Sequence, residues 1–422
     1  TTNKAGWSGH VIYDILKNLM RIEKITVLKF IDHWVGGPIC IILVLLYRLT
    51  HPFYKIHLHI PAKELPPKKI LILKFIGIGS ITLASSIIIN IRNKYKDTKI
   101  YFLTFKENQE ILDILSLADK VMIIDTRNPL VLVKTIVQSL LFCWKERIDI
   151  AFDIEFYSKF STMMCFLSGA RWRVGFYLAR YWRNSLINVP VYFNNTKHIL
   201  EIYSMFSNTL LIDDQDLYPK QIPTTKDDRI ELLAVLKNHD IFDLNKFIAI
   251  NIHASDLALC RRWPLKHFAS LVGLFFKENS ETNIILTGAK KEVSYSQEFL
   301  ELLPQEYRRR VIDLTGKLSL KQFLTLLSQL PLFVTNDTGP FHLAKAVGAK
   351  TISLWGPGSI DLYGPFGREG QVHDVIYKRY ICSPCLYVYR TNAGYFCNGK
   401  APCMEEIRPG EVMDLIRKRL NS

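Results

Sequence analysis

The chain has 422 residues, 49% of them hydrophobic and 22% charged, with 54 Lys and Arg against 39 Asp and Glu for a formal charge of +15. That length holds two full domains plus an appendage, and that balance excludes a disordered chain. The positive excess calls for polyanionic partners; with no basic run carrying interleaved aromatics, phosphates and an anionic membrane surface are favoured and nucleic acid is not.

Residues 1–66 form a segment unlike an α/β domain. In residues 12–31 the apolar positions Ile12, Ile15, Leu16, Leu19, Ile22 and Ile25 recur at helical spacing, with Lys17, Arg21 and Lys24 among the polar positions, which predicts a basic amphipathic helix. Residues 34–47 carry no charge and are interrupted by Gly36, Gly37 and Pro38. This stretch is short for a bilayer span and suits an interfacial, monotopic segment anchored by Trp34 and Tyr47.

From residue 67 strands alternate with helices. Residues 69–75 read as a buried strand, Gly77, Gly79 and Ser80 as a glycine loop, and residues 81–95 as a helix; further strands follow at 99–104, 121–124 and 148–154. The loop lacks the third glycine of a dinucleotide fingerprint, and no acidic residue ends the second strand, so a nicotinamide site is the weaker reading. Periodicity fades between residues 203 and 228, which divides a first domain, 67–228, from a second, 229–422. In the second, strands at 247–252, 283–287, 311–314, 332–334 and 350–355 place Ser255, Thr287, Gly288, Asp337 and Thr338 along the strand ends where open parallel sheets bind ligands.

The strand, loop and helix around residues 331–358 carry the strongest signal. Thr338 and Gly339 begin a helix with Pro340 in its first turn, where a missing N–H costs nothing. The free N–H groups and positive end of such a helix bind anions, Gly339 admits a phosphate to the backbone, and His342 offers a further hydrogen bond. The alternative is an ordinary strand-to-helix turn capped by Asp337.

These motifs together resemble glycosyltransferase family 9, the ADP-heptose:lipopolysaccharide heptosyltransferases. The likeness rests on Asp337-Thr338-Gly339 with His342, Leu343 and Ala344, on Arg262-Trp263-Pro264, on Thr287-Gly288 with Glu292, on Asp313-Leu314-Thr315-Gly316, on Lys74 through Ser80, and on Arg173 to Phe176. It runs from about residue 68 to residue 412. The resemblance implies a GT-B fold: two Rossmann-like domains with parallel sheets facing a cleft, here with the N-terminal helical membrane-associating appendage. It further implies an inverting, metal-independent transfer of a sugar such as heptose from a nucleoside-diphosphate sugar to a lipid-linked glycan such as lipopolysaccharide core, at the cytoplasmic face of a bacterial inner membrane. Asp337, Thr338, Gly339, His342, Glu292, Arg261, Arg262, Thr287, Gly288 and Ser255 would bind the nucleotide sugar. Gly77, Gly79 and Lys74 would form the acceptor loop.

One position departs from the family. An Asp that serves as general base follows the second loop glycine in the heptosyltransferases, and this chain has Ser80 there, whose hydroxyl is no base near neutral pH. Glu155, and after it Asp153, at the end of the fourth strand are the expected substitutes; both could instead be structural. Lost catalysis, leaving a sugar-nucleotide-binding scaffold of a glycan-assembly complex, is the alternative function. Cys382, Cys385, Cys397 and Cys403 have enough thiols for a structural zinc or iron–sulfur cluster, or for other uses, and catalysis requires no cofactor.

Overall fold

The computed structural model describes residues 32–51, 55–156, 158–177, 182–213, 216–254, 258–366, 370–386, 397 and 401–421. The expected basic helix at 12–31, and Ser255, lie outside them. After α1 (Gly36–Thr50), the first domain runs β1 (Lys69–Leu73), α2 (Ile78–Lys94), β2 (Lys99–Phe105), α3 (Gln109–Leu115), β3 (Lys120–Ile124), α4 (Pro129–Glu146), β4 (Ile150–Asp153), α5 (Lys159–Leu167), β5 (Trp172–Tyr177), β6 (Val189–Tyr192) and α6 (Ile199–Asn208). The second contains α7 (Lys226–Lys237), β7 (Phe247–Asn251), α8 (Leu265–Glu278), β8 (Asn283–Leu286), α9 (Val293–Glu301), β9 (Val311–Asp313), α10 (Leu320–Gln329), β10 (Phe333–Asn336), α11 (Gly339–Ala346), β11 (Thr351–Trp355), β12 (His373–Tyr377) and α12 (Pro409–Leu420).

Each domain has one six-stranded sheet, ordered β3-β2-β1-β4-β5-β6 and β12-β11-β10-β7-β8-β9. Every pairing is parallel. Both orders are the doubly wound Rossmann order, with the strand direction of travel reversing between β1 and β4 and between β7 and β10. Crevices open at those reversals, beyond the carboxyl ends of the strands. Strands such as Ile70 to Leu73 and Phe247 to Asn251 are buried throughout because helices cover both faces, which is why they read as unbroken apolar runs. Residue 228 falls inside the first turn of α7, which Thr225 and Asp228 cap reciprocally. Leu232 and Leu236 of that helix pack into the second domain against Phe247 and Ala249.

Right-handed crossovers sort the first domain's helices. α2, α3 and α6 cover the face that meets the second domain, and a single apolar cluster runs from Ile70, Ile87 and Phe206 across to Leu324, Leu343 and Ala346. α4 and α5 cover the opposite face.

α1 starts at Gly36 and Gly37, with Pro38 in its first turn, and a turn at Val35 separates it from the helical residues 32–34, so the expected interruption falls at its start and not within it. Pro belongs there, since the first-turn N–H groups have no partner inside the helix. It lies against α5: Gly36, Cys40 and Val44 face inward, with Cys40 and Val44 packed on Met163 and Leu186. Arg173 donates to the Tyr47 hydroxyl at 3.0 Å and Arg48 to Ser185 at 2.8 Å. Just before α1, the Asp32 carboxylate accepts from the Phe160 and Lys159 backbone N–H groups and the Ser158 hydroxyl, capping α5. Polar contacts at both ends tie α1 along the domain surface.

Candidate active site

The second domain presents its part of the site at the reversal between β7 and β10. Asn336, the last residue of β10, accepts from the Trp263 N–H at 3.0 Å and donates to the His253 carbonyl at 3.0 Å. One side chain thereby fixes both the β7 loop and the Arg261-Arg262-Trp263 turn. The Trp263 ring is fully buried, with Nε1 donating to the Ile407 carbonyl, so the two arginines sit on an anchored base.

Asp337, Thr338 and Gly339 then turn the chain into α11. No side chain caps this helix: Thr338 has extended backbone angles, and its hydroxyl lies 3.4 Å from the Asn336 carbonyl. Asp337 therefore does not act as the cap that the sequence allowed. Its carboxylate faces Arg261, with Oδ2 3.3 Å from Nε, while Arg261 Nη1 donates to the Asp337 carbonyl at 3.3 Å. Burial pushes the Asp337 carboxyl up and Arg261 opposes that shift. His342, one turn into the helix, is buried and held well below its ordinary pKa, first by burial and then by Lys345, His198 and Arg261, so it is a neutral imidazole.

By hydrogen-bond geometry four shielded polar atoms around this helix start lack a partner within the protein, Arg261 Nε, Arg262 Nε, Asp337 Oδ2 and His342 Nδ1, but the first and third face each other as the ion pair above, which leaves Arg262 Nε and His342 Nδ1. Buried polar atoms are seldom left so, and a guanidinium donor beside an uncapped helix start is suited to an anionic ligand. The Arg262 guanidinium lies 4.0 Å over the Tyr295 ring, an arrangement without a local sequence signal because Tyr295 belongs to α9. Beneath it, His253 Nε2 meets Ser296 Oγ at 3.1 Å, and Ser296 meets Thr315 at 2.8 Å. Burial lowers the His253 pKa to about 3. Gly288 belongs to this packing: a Cβ there would come within 2.6 Å of His253 Nε2. Thr287 is buried, its hydroxyl turned to the Ile250 carbonyl. Glu292 ends the short helical turn Lys290–Glu292 before α9 and accepts from the Ala289 N–H at 2.7 Å.

The first domain brings its glycine loop to the same place. Gly77 has φ +94°, which favours glycine, and Gly79 touches the second domain directly. A Cβ on Gly79 would meet His342 Cδ2 at 3.0 Å and Gly339 Cα at 3.2 Å. Ser80 is half-buried in the first turn of α2. Behind the loop, Glu155 Oε1 accepts from Lys74 Nζ at 2.7 Å and the Phe156 N–H at 3.0 Å, while Oε2 accepts from the Phe75 and Ile76 N–H groups at 2.8 and 3.0 Å. Lys74 also lies 4.4 Å from the centre of the Phe156 ring. All four acceptor positions of the carboxylate are in use. Asp153 is wholly buried, bonded to the Thr162 hydroxyl at 2.6 Å and facing Arg183 at 3.6 Å. The two expected bases are thus engaged in holding β4 and the glycine loop.

The C-terminal cysteine segment packs on the loop after β11: the Cys385 N–H donates to Pro357, and a Cβ on Gly356 would lie 2.8 Å from Cys403 Sγ. Among the described residues no group of three or more His, Cys, Asp or Glu side chains is placed to hold a metal ion. A zinc or iron–sulfur site at Cys382, Cys385, Cys397 and Cys403 therefore finds no support: Cys382 is exposed while Cys403 is buried.

Two Rossmann-like domains meeting across a cleft, with an uncapped helix start on one wall and a glycine loop on the other, are the architecture of the GT-B class of proteins. Residues 160–392 match the family model for glycosyltransferase family 9 (heptosyltransferase), and the chain belongs to that family. It is 29% identical over 175 residues to lipooligosaccharide heptosyltransferase 2 of Campylobacter jejuni, covering 41% of this chain and 51% of that protein. Likeness to the Haemophilus influenzae protein of the same name is 33% over 112 residues, 26% of this chain and 32% of that one. The chain thus spans only a third to a half of these two relatives. With lipopolysaccharide heptosyltransferase 1 of Campylobacter coli it is 26% identical over 301 residues, 68% of this chain and 84% of the relative. In fold it is similar to the Escherichia coli ADP-heptose lipopolysaccharide heptosyltransferase II, with TM-score 0.66 and 18% identity over 83% of this chain and 98% of the other. A family 9 glycosyltransferase from Veillonella parvula is similar too, with TM-score 0.68 and 16% identity over 84% and 97%.

Proposed function

We propose that this protein is an inverting glycosyltransferase that moves a heptose from a nucleoside-diphosphate sugar, ADP-heptose or a close analogue, to a lipid-linked glycan of the lipopolysaccharide-core type. The observation that carries this reading is the uncapped start of α11 with the Arg261 and Arg262 guanidinium groups beside it, where Arg262 Nε and His342 Nδ1 are buried without a hydrogen-bond partner. A diphosphate suits that arrangement, because the helix start and two guanidinium groups offset its charge. In the reaction the acceptor hydroxyl oxygen bonds to the anomeric carbon as the bond to the diphosphate oxygen breaks, the bonding pair leaving with the nucleoside diphosphate and the hydroxyl proton passing to solvent. Charge then builds on the departing nucleoside diphosphate, where Arg261 and the helix N–H groups stabilise it.

The acceptor enters, on this reading, past Gly77, Gly79 and Ser80. Lys74 and Glu155 act there as positioning residues: together they hold the backbone of residues 75–77 in register with α11. Thr287, Gly288 and Glu292 shape the nucleoside side of the pocket from behind, with Tyr295 as a platform for Arg262. α1, with its apolar outer side, keeps the protein on the cytoplasmic surface of the inner membrane, where lipid-linked acceptors reside.

Incubation of purified protein with ADP-heptose and a lipid-linked core acceptor tests the reading. An acceptor gaining the mass of one heptose, with stoichiometric ADP, supports it. Nucleotide binding with no product from any nucleoside-diphosphate sugar would place the protein with the inactive scaffolds instead.

A further inference from the structure

Two helices leave apolar faces uncovered: α1 of the N-terminal appendage and α4 of the first domain. On α1 the exposed apolar positions are Ile39, Ile41, Ile42, Leu45, Leu46 and Leu49, the last 79% exposed. On α4 they are Leu130, Val133, Val137, Leu141 and Trp144, with Leu130 84% exposed. The α4 spacing of three, four, four and three residues draws a single stripe along one side of the helix, about 21 Å long at 1.5 Å per residue. Leu132, Ile136, Leu140 and Cys143, on the other side, pack under the sheet.

Both stripes lie on the same face of the sheet. α5 is the layer between them: Trp144 Nε1 of α4 donates to the Leu167 carbonyl at its end, and Gly36 of α1 packs on Lys159 and Met163 at its start. No residue of α5 is exposed, so α4 and α1 form its two flanks. The face is opposite the one that meets the second domain. Its upper edge adjoins the active site: Asp32 caps α5 directly after the Glu155 turn, and α4 begins just past the carboxyl end of β3.

Charge chooses the occupant. Lys134 and Lys145 of α4 fall within about 60° of its stripe at 100° per residue and are exposed, as is Arg147 at its end. The only acid of the helix, Glu146, is taken by Lys69 at 2.9 Å and by the Tyr101 hydroxyl. Around α1, residues 33–63 contain no acidic residue, and Arg48 and Lys55 are exposed. Apolar stripes edged by cations with no free acid match an anionic phospholipid surface, with the stripes among the acyl chains and the lysines at the headgroups. We infer that α4 is a second membrane-binding element, coplanar with α1, so that the first domain lies flat on an anionic bilayer with its acceptor loop opening at the lipid surface. The inference rests on the reading of α1 as membrane-facing, and adds to it an element within the catalytic domain itself.

Flotation of the full chain with phosphatidylcholine vesicles, with and without phosphatidylglycerol, tests it through two variants of surface positions. The α4 variant is Val133→Glu/Val137→Glu/Leu141→Glu and the α1 variant is Ile42→Glu/Leu46→Glu/Leu49→Glu; thermal melting confirms that each folds. The expected result is phosphatidylglycerol-dependent flotation of wild type, weakened about ten-fold or more by either variant. Weakening by the α1 variant alone overturns the role of α4 and leaves the membrane reading of α1 intact, whereas flotation unchanged in both overturns the two together. A fall in oligomeric mass on the α4 substitutions with flotation unchanged assigns the stripe to a second copy of the chain. New protease sensitivity within residues 12–31, again with flotation unchanged, assigns it to the chain's own N-terminal segment. Either of these results overturns the inference.

Discussion

Gly79 of the first domain and His342 of the second are in contact, with only 3.0 Å between a Cβ on the glycine and Cδ2 of the imidazole. The two walls of the cleft meet at this point, and the contact leaves no space for a side chain. Gly79→Val should pry the walls apart where acceptor and donor must come together, while the nucleotide contacts on the second domain stay in place. The expected outcome is a loss of about 100-fold or more in kcat/KM, since a displacement of about 1 Å at reacting groups has that effect. Calorimetry should find nucleotide affinity within a few-fold of wild type. Equal losses in both would mean that the loop contributes to donor binding itself.

Gly358, in the loop after β11, lies against Asp337 so closely that a Cβ would overlap its Oδ2. Gly358→Ala should swing the carboxylate away from Arg261 and disturb the anion site without touching the core. Nucleoside diphosphate affinity is expected to drop about ten-fold, on the order of 1.4 kcal/mol, with melting temperature nearly unchanged. Affinity at the wild-type level would show that the Asp337–Arg261 geometry is irrelevant to binding.

The Lys74–Glu155 pair is buried, with side-chain exposures of 1% and 6%. Lys74→Met strands a carboxylate in the interior and should cost about 3–5 kcal/mol of stability. Adding Glu155→Gln should restore a good part of that. The single variant Glu155→Gln separates positioning from proton transfer: positioning predicts a raised KM for the acceptor with a modest change in kcat, whereas a base predicts kcat lowered by at least 100-fold with KM unchanged.

Acid should unfold the protein early. Burial lowers the pKa of His253 to about 3, and of His198 and His373 to about 4. The folded state therefore keeps these rings neutral at a pH where the unfolded chain protonates them. Below pH ~6.5 each histidine costs up to about 1.4 kcal/mol of stability per pH unit, until its folded pKa is reached. Melting temperature should fall steadily from pH ~6.5 to pH ~4, and His373→Asn should make that fall shallower. A flat profile over this window would contradict the burial of these rings.

Much of this architecture is legible in the chain because it is written locally. Strands covered on both faces must be continuous apolar runs, and α11 announces itself through Thr338, Gly339 and Pro340. β5, β6 and β12 carry no clear strand signal: β6 is four residues long and contains Pro190, and β12 mixes His373 and Asp374 with apolar positions. The partners of Glu155 were also hidden. A carboxylate at a strand end has the same sequence appearance whether it faces a substrate or is clasped by Lys74 and three backbone N–H groups, since those donors come from β1 and its loop, far away in the chain. The contact of Gly79 with His342 and the stacking of Arg262 on Tyr295 depend in the same way on how separate elements are brought together.

The most direct test of the central claim is calorimetric titration of the purified protein with ADP, UDP, GDP and NAD, beside a Thr338→Trp variant that fills the start of α11. Wild type is expected to bind one nucleoside diphosphate selectively, the variant to lose that binding, and NAD to be inert. Absence of nucleoside diphosphate binding in wild type, or binding that survives Thr338→Trp, would contradict that claim.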